Sequence, residues 1–193
     1  SGLAIDHFGL FNSQVQPISA YRLAGAGLAA AGMLLAVYGR GKSSRVGPRP
    51  KLIWRVMGIL VGVYAALQAA FNGNLTKMLG SSIASGFVSY ATGTILLLLL
   101  VVFSNQLPHK TTRGRWWMWL GGPVGALFVV GMAQLVPRLG TGVTLLVVLI
   151  GQLLGSMAID HFALFGARKA HVTLFRLIGV AVLAGGMYVY YTF

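Results

Sequence analysis

Asp6 and Asp160 are the only acidic residues among 193, and each lies in the pentapeptide Ala-Ile-Asp-His-Phe, at 4–8 and again at 158–162. A carboxylate beside an imidazole that titrates near neutral pH is a candidate proton-coupling or gating station, so Asp6 with His7 and Asp160 with His161 carry that reading. Arg22 and Arg176 each follow their aspartate by 16 residues. The plainer reading is therefore a duplicated clamp, Asp6 to Arg22 and Asp160 to Arg176, tying each helical hairpin at a membrane mouth. Two acids cannot build a carboxylate metal site or paired-acid catalysis. The histidines at 7, 109, 161 and 171 are dispersed and cysteine is absent. No HExxH, phosphate-binding glycine loop or nucleophile elbow occurs. These residues point away from an enzyme and imply neither a metal nor a cofactor.

The shared pentapeptide belongs to a longer repeat. Sliding residues 1–39 onto 155–193, an offset of 154, gives 13 identities, including Arg22/Arg176, Gly25/Gly179 and Gly32/Gly186, where chance would give about three. A duplication of this kind is a fold-level signal.

Hydrophobic residues make up 56% of the chain and charged residues 9%, against about 25% charged in soluble domains. The composition is that of an integral membrane protein. Its net charge of +13 does not imply a nucleic-acid partner, because the bases fall between long apolar runs. They read as topology signals and contacts to anionic lipid.

A helix needs roughly 20 apolar residues to cross about 30 Å of hydrocarbon. Candidate spans run near 20–38, 53–71, 81–103, 116–136, 141–165 and 173–193, and residues 1–11 read as the tail of another. Breakers separate them, among them Asn72-Gly73-Asn74 and Pro137 with Gly140. Twelve bases lie in the 39–55, 104–115 and 166–176 segments, against Arg22, Lys77 and Arg138 elsewhere. That bias puts the first set in the cytoplasm and the C-terminus outside. Arg22 and Arg176 then fall on opposite sides, so the two copies are inverted, as an odd number of five spans per repeat requires. Inverted repeats recur in secondary transporters, with the substrate path near midplane. The expected fold is an all-α polytopic transmembrane bundle with inverted five-helix repeats. Residues 1–38 form the end of the first repeat, 39–50 a basic cytoplasmic linker and 51–193 a complete second repeat.

Gly58/Gly62, Gly121/Gly125, Gly151/Gly155 and Ser85/Ser89/Gly93 are small-residue stripes that would let helices approach closely. Pro123 predicts a kink within its span. Trp54, Trp116, Trp117, Trp119, Tyr188, Tyr190 and Tyr191 fit interfacial aromatic belts. Polar side chains within spans are costly in lipid and so face protein or a water-filled cavity. Tyr64, Gln68 and Asn72 share a helix face at four-residue steps, and Ser89, Gln134 and Gln152 join them as pathway candidates. For each, hydrogen bonding between helices is the competing reading.

Several longer motifs carry a family resemblance: Gln68-Ala-Ala-Phe-Asn-Gly-Asn-Leu75, Ser89-Tyr-Ala-Thr-Gly-Thr94, Val136-Pro-Arg-Leu-Gly140, and Gly151-Gln-Leu-Leu-Gly155 running into Ile159-Asp-His-Phe-Ala-Leu-Phe165. With these the chain resembles the YdcZ-like branch of the drug/metabolite transporter superfamily, in its tandem-fused form and N-terminally incomplete. The resemblance implies an EamA-like bundle in a bacterial inner membrane that exports a small metabolite or drug-like solute. It also implies a homodimer, or pairing with the upstream part of the first repeat. The related small multidrug exporters use a glutamate on their first helix, whereas the matching span here offers only Tyr64 and Gln68, which argues against the same cation/proton antiport. The alternative reading is a non-transporting membrane partner subunit or lipid-handling scaffold.

Overall fold

The computed structural model describes residues 2–13, 15–38, 52–104, 116–166 and 171–192. Most of the basic residues used above for sidedness, and the 39–50 linker, lie outside them. The described residues form α1 (Gly2–Phe8), α2 (Ala20–Tyr38), α3 (Leu52–Leu79), α4 (Ser82–Phe103), α5 (Gly121–Leu139), α6 (Thr141–Phe162) and α7 (Leu174–Thr192), with short 3-10 turns at Leu10–Asn12, Trp116–Leu120 and Leu164–Gly166. Six of these helices are long and apolar enough to cross a bilayer. α4 is the most apolar, with mean hydropathy 2.2, and its run Leu96–Leu100 is exposed along its whole length. With no polar group to hide, that surface is suited to lipid tails.

The Asn72-Gly73-Asn74 break does not occur, since α3 continues to Leu79. A helical glycine costs only about 1 kcal/mol, and packing exceeds that here. Gly73 lies against Val136 of α5, and a Cβ at position 73 would stand 3.0 Å from the valine Cβ. The chain turns instead at Gly80, whose φ is 65°, and Ser81 then caps α4 by accepting a hydrogen bond from the Ala84 amide at 3.3 Å. Nor does Pro123 kink a span. The span opens as the 3-10 turn Trp116–Leu120, and Pro123 is the third residue of α5, where an amide N–H has no acceptor within the helix anyway.

The most extensive helix contact joins α2 to α7. A Cβ on Gly25 would meet the Gly186 carbonyl oxygen at 2.7 Å, and one on Gly32 would meet that of Gly179 at 2.6 Å. As the position rises along α2 its partner falls along α7, so the helices run antiparallel. Gly179 and Gly186 are the counterparts of Gly25 and Gly32 at the 154-residue offset. Exchanging the two copies therefore carries one close approach onto the other.

This seven-residue glycine spacing does the work expected of the GxxxG pairs. Gly58, Gly62, Gly121, Gly151 and Gly155 have open space where a Cβ would go, and only Gly125 meets a neighbour, the Tyr90 hydroxyl. In the Ser85/Ser89/Gly93 stripe, Ser85 and Ser89 hydrogen-bond to Asn72. A smaller apolar core forms where α1 lies against α3 and α6, around Ile5, Ala66 and Ala70, with Phe11, Leu67 and Leu145 packed on it.

Candidate functional site

Helices α3, α5 and α6 flank a half-open cavity of about 610 Å³, in which Gln68 and Gln152 are exposed. Small residues on α3, Gly62, Ala65 and Ala69, leave the room, while Phe128 and Met132 of α5 and Leu149 of α6 supply apolar walls. Three amides interrupt that surface: Gln68 and Asn72 from α3 and Gln152 from α6. Among the described residues, none that line it is ionisable.

Asn72 is held firmly. Its side-chain oxygen accepts from the Ser89 hydroxyl, and its backbone carbonyl accepts from Ser85 and Thr76 hydroxyls at 2.9 Å each. Buried polar groups need such partners, and here they fix the amide in a half-polar seam between α3 and α4. Its Nδ2 has no hydrogen-bond partner among the described residues, and neither do the side-chain amides of Gln68 and Gln152.

Two other pathway candidates fall elsewhere. Tyr64 is 67% exposed and Gln134 is exposed, and neither lines the cavity. A four-residue step on an α-helix turns about 40° past a full circle. From Asn72 back to Gln68 and on to Tyr64, the face precesses out of the lined arc. Ser89 acts behind the cavity wall, through Asn72.

The two aspartates sit at opposite ends of α6 but make different bonds. Asp6 is buried and does not clamp Arg22. Its carboxylate accepts from the backbone amides of Thr141 at 3.0 Å and Gly142 at 2.7 Å, capping the start of α6. A helix N-terminus presents unpaired N–H groups and a positive dipole end, which suits a carboxylate. Gly140 permits the approach: its φ is 84°, and a Cβ there would lie 3.2 Å from Asp6 Oδ2. Arg22 instead places its guanidinium over the Tyr190 ring, 5.7 Å from the centroid. Tyr190 is buried rather than interfacial, whereas Tyr188, Tyr191, Trp54 and Trp119 are exposed; the Trp116 and Trp117 side chains lie outside what is described.

Asp160 does meet Arg176, whose Nη2 donates to Oδ2 at 3.0 Å between two buried side chains. None of the described histidines lines the cavity. His7 accepts from the Ile18 amide at 3.2 Å through Nδ1, and His161 is exposed with its ring 6.5 Å from that of His171. Replacing Asp6 by alanine leaves two buried N–H groups unpaired and is expected to cost about 2–4 kcal/mol. Asparagine, a good cap that keeps an acceptor, should restore about half. Thermal unfolding of the solubilised chain measures both.

Apart from Gln152, the α5 and α6 walls of the cavity were missed by sequence reasoning, since apolar residues in an apolar span look alike. Thr141 and Gly142 as partners of Asp6 had one available signal: Gly140 marks a helix start whose amides need an acceptor, although Pro137, expected to be a breaker with it, stays inside α5.

No curated protein and no solved structure matches the chain. A family model described as "Putative inner membrane exporter, YdcZ" matches residues 1–35 and 53–189. The match covers most of the chain, and six helices among the described residues are long and apolar enough to cross a membrane: the chain belongs to the YdcZ family of the drug/metabolite transporter superfamily, multi-pass transporters of the inner membrane rather than enzymes.

Proposed function

We propose that this chain is a secondary transporter that exports a small metabolite or drug-like solute by alternating access between inverted repeats. The observation that carries the reading is the cavity of about 610 Å³, whose apolar walls are broken by the amides of Gln68, Asn72 and Gln152. Its size lies within the range of about 300–1,000 Å³ common to small-molecule sites, and a few polar groups on an apolar surface are what such sites use for orientation. The α2–α7 contact supports inversion, because its two close glycine approaches interchange when the copies are exchanged. The bias of basic residues in the sequence supports a C-terminus outside and anionic lipid at the cytoplasmic face. Asp160 and Arg176 serve as a clamp at one mouth, while Asp6 braces α6 at the other.

Gly62→Trp puts a large ring into the cavity from a position with open space around its Cα. Counterflow in proteoliposomes across a panel of charged, zwitterionic and neutral metabolites should show flux that this variant lowers at least about tenfold. Gly58→Trp, outside the lining, should keep it. Absence of flux for the whole panel in the parent chain would favour the scaffold reading.

A further inference from the structure

Building on the transporter reading, we infer that the cavity selects an uncharged solute with an amide-like edge, a donor and an acceptor side by side, on an apolar body. Carboxamides, ureas, lactams and nucleobase edges belong to this class.

The exclusion of charge follows from where the chain's charges are. A bare ion in an apolar, membrane-embedded site needs a counter-charge, and among the described residues none that line the cavity is ionisable. The only two carboxylates in the chain are engaged elsewhere: Asp6 with the Thr141 and Gly142 amides, and Asp160 with Arg176. A cation therefore finds no anion here. Among the described residues an anion finds no base in the lining either: Arg176 is buried against Asp160, Arg22 lies over Tyr190 and Lys77 donates to the Asn12 carbonyl.

A purely apolar solute is also a poor fit. It would strip water from Gln68 and Gln152, which have no protein partner among the described residues, and return no hydrogen bond. Each glutamine offers one carbonyl and one NH2, and an amide-like edge answers both at once. Asn72, with its oxygen held by Ser89, adds a donor. The contrast resembles sites built to bond a substrate's polar group, which reject analogues lacking it far more strongly than apolar pockets reject a methylene.

The test uses the full chain in lipid nanodiscs and three radiolabelled probes that share an indole body: indole-3-acetamide, indole-3-acetate and tryptamine. Equilibrium dialysis should show the amide binding at least about tenfold tighter than either charged probe. Gln68→Leu and Gln152→Leu, checked for monodispersity, should each weaken amide binding by about tenfold. Gln152→Glu should shift preference toward tryptamine. Equal binding of either charged probe, unchanged amide affinity in both leucine variants, or no amide binding would overturn the inference. Flux of a charged metabolite blocked by Gly62→Trp would also overturn it while leaving the transporter reading intact; a panel in which no solute, charged or neutral, shows flux would remove that reading instead.

Discussion

Gly32→Leu is expected to lower the yield of monodisperse folded protein at least about tenfold, because even 1–2 kcal/mol changes abundance several-fold and this substitution costs more. A Cβ at position 32 meets the Gly179 carbonyl oxygen at 2.6 Å and the Leu183 Cα at 2.9 Å. Overpacking costs about 1–3 kcal/mol when side chains give way. Here the obstacle is backbone, so α2 and α7 must separate. α2 has little else to hold it, since its one extensive helix contact is with α7. Gly179→Leu should match it, as the same contact seen from the other copy. Gly27→Leu, with nothing within 4 Å, is the control. Size-exclusion chromatography of a fluorescent fusion reads all three, and a Gly32→Leu profile like the parent's would refute the account.

The second large effect concerns Asp160. Its removal leaves the Arg176 guanidinium buried without its carboxylate partner, with only 4% of that side chain exposed. Breaking one side of a buried pair costs about 3–5 kcal/mol, whereas replacing both with apolar groups is often neutral. Asp160→Leu should therefore sharply lower the unfolding temperature, and Asp160→Leu with Arg176→Met should recover most of the loss. Arg22→Met should cost about 1 kcal/mol or less, the value of a partly exposed cation–π contact. If Asp160 were instead a gate, Asp160→Asn would assemble normally and change the pH dependence of transport.

These two predictions show where the sequence was informative. Asp6 and Asp160 have identical neighbours and the same 16-residue distance to an arginine, yet one meets backbone amides 135 residues away and the other its arginine. Spacing along a chain cannot distinguish them, because what decides is whether another helix begins within reach. The α1 segment crosses the start of α6 and finds amides lacking acceptors. Tyr64 and Gln68 gave a comparable ambiguity. Their shared face was legible, but the centre of the lined arc depends on how α3 is rotated against α5 and α6. Asn72-Gly73-Asn74 read as a break because its composition suits turns, until Val136 and the serines of α4 gave those residues partners.

By itself, the sequence determined the membrane class, the helical spans to within a few residues except the end of α3, the internal duplication and the resemblance to a transporter family. Each follows from forces acting on every segment alike: hydrocarbon demands an apolar, internally hydrogen-bonded helix wherever the chain crosses. Only the tertiary structure decided which glycines bring helices together, where the cavity lies and which partner each lone aspartate takes. Those depend on rotation and approach between distant segments, where a few ångströms separate a close contact from open space.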